Sequence, residues 1–143
     1  MYQSYISAEG ILFARHYGYY EGAEDLKAFL SALEANPPVT QLQAVCVDLR
    51  DVTAATLEDS DRANVTFFMR QFARYGQQLD SMLLVRVKNA KSVAINKILL
   101  ERDARTAGPF VDLGAIETVF SASEALEVLG LPADYRIAYS AKN

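Results

Sequence analysis

Short apolar runs alternate with segments of helical spacing along the chain. Tyr2 to Ala8 reads as a strand, Glu9-Gly10 as a tight turn and Ile11 to Tyr17 as a second strand, together an antiparallel hairpin. Gly18 and Gly22 then bracket an aromatic loop, Tyr19-Tyr20-Glu21. Leu26, Phe29, Leu30 and Leu33 recur at i, i+3, i+4 and i+7 and predict a helix over about Ala23 to Ala35. Glu24 and Asp25 sit in its first turn, where the helix dipole favours acids, and Asn36-Pro37-Pro38 ends it.

Ala44 to Asp48 is a continuous apolar run that stops at an acid, as a central strand buried on both faces does. Leu49 to Ala55 reads as the loop after it. Thr56-Leu57-Glu58-Asp59 has the form of a capping box and predicts a helix to about Tyr75, with Val65, Phe68, Met69 and Phe72 on its buried face. Ser81 to Val87 is the next strand, Lys88-Asn89-Ala90-Lys91 a polar loop, and Ser92 to Ala107 a further helix. Ala115 to Phe120 is the last strand. Ser121-Ala122-Ser123-Glu124 is a full capping box, and Gly130 and Pro132 stop the helix it opens. In the tail, Tyr135, Ile137 and Tyr139 alternate with polar or small residues, which suits an edge strand or packing on a partner, including a second copy in a homodimer.

The order β-β-α-β-α-β-α-β-α implies an α/β fold. The sheet is five-stranded and mixed, parallel apart from the opening hairpin, with about four helices packed mainly on one face through right-handed crossovers. The expectation is one domain over residues 1–143, with 132–143 as a C-terminal tail.

Composition narrows the function. Lys and Arg number 14 against 18 Asp and Glu, a net charge of −4, which lacks the basic footprint of a nucleic-acid binder. One Cys, Cys46, and one His, His16, exclude an internal disulfide and the usual Cys/His zinc sites. No apolar run approaches the ~20 residues of a membrane span, and no basic residue precedes Arg15 to start a leader. The expectation is a cytoplasmic chain with a reduced thiol and no metal or other cofactor.

Motif chemistry is sparse. No Gly-x-Ser-x-Gly elbow and no Gly-rich phosphate loop is present. His16 alternates with Leu12 and Ala14 and reads as structural or surface. Cys46 sits mid-strand, where burial keeps a thiol inert. The candidate binding residues gather where ligands of open α/β sheets bind, outside the carboxyl ends of the strands. They are Tyr19 and Tyr20 after the second strand, Asp48, Arg50, Asp51 and Thr53 after the third, and Lys88 after the fourth. Asp48 and Asp51 have the chemistry for acid–base work, but no nucleophile accompanies them, and a bracing network is the simpler reading. On such a loop, Arg50→Ala is expected to cost less than about 1 kcal/mol.

Three segments resemble the SpoIIAA-like (STAS-type) family. They are Val47-Asp48-Leu49-Arg50-Asp51-Val52, the capped segment from Thr56, and Val119-Phe120-Ser121-Ala122-Ser123-Glu124-Ala125-Leu126 with Leu129-Gly130. The resemblance covers about Ile6 to Leu131. It implies a single sheet with packed helices and regulatory, non-catalytic protein–protein interaction of a bacterial signalling type. It also implies a phosphoswitch, against which the residues argue. Aligned on Asp48-Leu49, the family's Asp-Ser-Ser-Gly position holds Thr56-Leu57-Glu58-Asp59, and Thr53, Thr56 and Ser60 are the nearby hydroxyls. The sequence resembles the divergent branch without that serine motif. The alternative function is a binding module for a lipid or other apolar small molecule, in a slot between helices lined by Phe29, Phe68 and Phe72.

Overall fold

The hairpin forms where the alternation places it. In the computed structural model, which describes residues 1–21, 24–35, 42–55, 83–89, 91 and 115–139, β1 (Tyr2–Ile6) pairs antiparallel with β2 (Ile11–Tyr20). The turn between them closes through the Ser7 N–H donating to the Ile11 carbonyl at 2.9 Å and the Gly10 N–H to the Ser7 carbonyl at 3.0 Å. Gly10 takes φ +81°, a left-handed value that glycine adopts without a Cβ clash.

β3 (Ala44–Ala55), β4 (Leu83–Val87) and β5 (Ala115–Val119) then add in parallel, so the five strands lie in chain order, β1-β2-β3-β4-β5. The architecture is therefore the expected five-stranded mixed sheet with an antiparallel hairpin at one edge. Two helices are described, α1 (Glu24–Ala35) and α2 (Ala122–Val128). The helices expected from Thr56 and from Ser92 lie outside the described residues.

Both middle strands run further than the sequence pattern indicates. Residues 18–20 are not a loop: β2 continues through Gly18, Tyr19 and Tyr20, and β3 continues past Asp48 to Ala55 beside it. The β3–β4 pairing ends at Asp48 opposite Val87, so residues 49–55 pair on the β2 side. A two-stranded ribbon of this kind needs no uninterrupted apolar run, which is why Arg50, Asp51 and Thr53 look like loop residues in the sequence. The ten residues of β2 face twelve of β3, and two register shifts each insert one extra residue into β3. One shift falls between Arg15 and Tyr17 and the other between Gly18 and Tyr19. Gly18 itself has φ +65°.

Side chains alternate across the sheet, and each face has its own cover. Tyr2, Ser4, Ile6, Leu12, Ala14 and His16 share one face by pairing register, and α1 packs there, with the Tyr2 hydroxyl 2.8 Å from Ser31 Oγ. The opposite face carries Ile11, Phe13, Ala44, Cys46, Val85, Val87 and Val119, against which Ala125 of α2 packs. The two described helices thus lie on opposite faces of the sheet. α2 follows the last strand and so is not a crossover bound by the handedness rule.

The tail is the second correction. Its described part, residues 132–139, forms no edge strand: Tyr135, Ile137 and Tyr139 pack back on the α2 face of their own sheet. Phe13, fully buried, lies between Tyr5 at 6.4 Å and Tyr135 at 6.1 Å, both rings stacked on it. Fully burying the Phe13 side chain is worth roughly 1.5–3 kcal/mol. The tail can begin there because α2 stops cleanly. Gly130 at φ +71° and the bond from the Leu131 N–H to the Leu126 carbonyl (2.9 Å) form a Schellman motif, as the Gly130-x-Pro132 pattern predicts. No described helix is long and apolar enough to cross a membrane.

Candidate functional site

β4 and β5 end together, at a level where β3 runs on beside β2. Asp48 is level with Val87, and Val87 with Val119, so the residues beyond them form one rim. Arg50 lies two residues past Asp48 on the same strand face. Its Nε donates to Asp48 Oδ1 at 3.0 Å and its Nη2 to Asp48 Oδ2 at 2.8 Å, while its backbone N–H donates to Oδ1 at 3.1 Å. Asp48 is buried, so these three bonds replace its lost hydration. The first register shift brings Asp51 to Arg15, whose Nε and Nη2 both donate to Asp51 Oδ2, at 3.2 and 2.7 Å. The carboxylate bonds hold both guanidinium groups above their ordinary pKa, so both carry full charge.

An open cleft of about 550 Å³ lies on this rim, lined among the described residues by Arg50, Asp51, Asn89, Lys91 and Phe120. Asn89 Oδ1 accepts the Lys91 N–H at 3.0 Å, an Asx turn that fixes the corner of the loop after β4. Phe120 is 52% exposed. It occupies the position before Ser121, the N-cap of α2, whose Oγ accepts the Glu124 N–H at 3.2 Å. A large residue there normally packs on the fourth helical residue, but that residue is Ala125, which is buried and offers one methyl group.

The candidate residues separate accordingly. The structure brings Arg50 and Asp51 together at the cleft and sets Asp48 beneath them as a brace. Tyr19 is exposed on β2 and Thr53 exposed on β3, both outside the cleft lining. Lys88 is half-buried, with its backbone N–H bonded to the Val119 carbonyl at 2.9 Å. Tyr20 does not reach the rim. It is 4% exposed on the α1 face, edge-on to His16 with ring centroids 4.8 Å apart. Phe29, offered for an apolar slot, is fully buried in the core, and Phe68 and Phe72 lie outside the described residues.

Sequence reasoning missed Phe120 as a site residue and used Asn89 only as a loop residue. The available signal was a large aromatic before a capping box with alanine at the stapling position. It also missed a buried polar node on the α1 face. His16 Nδ1 lies 3.1 Å from Glu24 Oε1, the Met1 ammonium lies 2.6 Å from the same oxygen, and Glu24 Oε2 accepts the Glu21 N–H at 3.2 Å. Burial pushes the Glu24 carboxyl up, but its bonds to His16, the ammonium and Glu21 outweigh that and leave it below the usual range. Cys46 is buried mid-strand as expected: burial, with Asp48 nearby, pushes its thiol up to about 12. Among the described residues, no three of His, Cys, Asp and Glu converge on a metal position.

No model of a known protein family matches this chain. No curated protein matches it either.

Proposed function

We propose that this chain is a non-catalytic regulatory module that docks a partner protein on the carboxyl-end rim of its sheet, of the kind the SpoIIAA-like resemblance implies. One observation carries the reading. The rim cleft joins an exposed aromatic, Phe120, to an arginine held rigid by a buried carboxylate. Aromatic residues and Arg are the side chains enriched in protein-interface cores. Both oxygens of Asp48 and Oδ2 of Asp51 are bonded to guanidinium groups, which supports bracing over acid–base work.

The test is affinity capture from the source cell with wild-type protein and with Phe120→Ala. Loss of one specific captured protein, with an unchanged melting temperature, supports the rim as the docking site. Equal capture by both proteins defeats it.

A further inference from the structure

The cleft's chemistry specifies what the partner presents, an inference that rests on the docking reading above. Hydrogen-bond capacity at the rim is asymmetric. Arg50 uses Nε and Nη2 on Asp48, which leaves Nη1 and its two N–H groups without a partner among the described residues. Asn89 uses its carbonyl oxygen on the Lys91 N–H, which leaves its amide N–H₂ group. The Lys91 side chain is exposed and bonded to nothing among the described residues. The acceptors are largely consumed: Asp51 Oδ2 takes two bonds from Arg15, and only Oδ1 is left.

Charge points the same way. Arg15 and Arg50 are matched by Asp51 and Asp48, so the Lys91 ammonium remains as local positive excess among these groups, in a chain whose net charge is −4. Cleft size bounds the occupant. About 550 Å³ holds roughly one turn of helix or a few extended residues. The Phe120 ring supplies the apolar wall.

We propose that the rim cleft captures an acidic side chain, Asp or Glu, of a short partner segment, with Arg50 Nη1, Asn89 Nδ2 and Lys91 Nζ donating to the carboxylate and Phe120 packing on the neighbouring apolar residue. The carboxylate belongs to the partner protein and is not a free small anion.

The probe is a random dodecapeptide library displayed on phage, panned on the full chain and in parallel on Lys91→Glu, a substitution in an exposed turn. The expected result is enrichment of Asp or Glu beside Leu, Ile or Phe on the wild type, with at least tenfold weaker binding of those peptides to Lys91→Glu and to Phe120→Ala. Lys91→Glu should in turn enrich Lys- or Arg-containing peptides. Neutral or basic consensus on the wild type, no enrichment at all, or indifference to Lys91→Glu would overturn the proposal. So would inorganic phosphate competing at micromolar concentration, because the free anion would then be the ligand. Capture of the cellular partner separates the two readings. If Phe120→Ala abolishes capture while Lys91→Glu leaves it intact, the docking rim stands and the acidic specificity falls. If neither variant changes capture, both fall.

Discussion

Cys46 gives the sharpest quantitative expectation, because its thiol is buried beneath the tail and its titration is displaced far from that of an unfolded chain. Burial raises it from the ordinary value of 9.0 to about 12. Below pH 9 both folded and unfolded chains keep the proton. Between 9 and 12 the unfolded chain loses it first, so the folded state binds more protons and stability falls as pH rises. From pH 7 to pH 10 this amounts to about 1.4 kcal/mol, and it grows by a similar amount per further unit until the folded thiol titrates. Tyr139, whose hydroxyl burial also pushes up, adds to the loss in the same direction. Cys46→Ala isolates the thiol. The variant loses a little packing at every pH, yet its stability should fall about 1.4 kcal/mol less than the wild type's over the same interval. Urea unfolding at pH 7, 8, 9 and 10 measures both curves. Parallel curves would refute a thiol that the fold holds protonated. Thiol labelling is an independent check: at pH 8 the folded thiol has roughly a thousandth of the free thiolate fraction, so a disulfide reagent should react on the order of 10³-fold slower than with denatured protein.

Other expectations follow from single contacts. Arg50→Ala should cost about 1–3 kcal/mol by urea unfolding, because it strips two side-chain bonds from a buried carboxylate; a loss under 0.5 kcal/mol would restore the loop reading. Gly18→Ala should cost about 1–2 kcal/mol from its positive φ. Gly130→Ala should cost a similar amount from its own φ of +71°, because the Met1 Cε that a Cβ at 18 would meet at 2.6 Å is the free end of an exposed side chain and swings aside. A melting temperature for Gly18→Ala far below that of Gly130→Ala would contradict this. Phe13→Ala should lose about 3–5 kcal/mol, and Tyr135→Ala less, because Tyr135 covers Phe13 from a half-exposed tail.

The parts of the fold readable in the sequence are those set by local rules. The Glu9-Gly10 turn, the apolar start of β3, the Ser121 N-cap and the Gly130 stop each depend on a few adjacent residues, and each stands as expected; in place of the return bond that completes a capping box, the Ser121 hydroxyl donates to Glu124 Oε1 at 3.2 Å. The parts that were not readable depend on a distant partner. The far end of β3 is a strand because β2 lies beside it, although Leu49-Arg50-Asp51 lacks strand alternation. Tyr20 shares the face of His16 by alternation along β2, but that alternation applies only once residues 18–20 are known to be strand, which their pairing with β3 decides. The site divides in the same way. Arg50 and Asp51 were visible as charges past an apolar run. Phe120 was signalled only by the alanine at the stapling position, Ala125, a pattern the reading of the capping box did not use.

The strand order has a consequence for synthesis. Because each strand pairs with its immediate predecessor, the sheet can be laid down in the order in which the ribosome delivers it, the opening hairpin first. The cover of the Phe13–Cys46 face cannot, because α2 and the tail are the last described segments of the chain. A nascent chain stalled after β5 has the described strands but lacks this part of their cover, so we expect Cys46 to react faster with a maleimide before residues 122–139 emerge than after. The closing segment thus adds its shielding late, and labelling of staged nascent chains would time it.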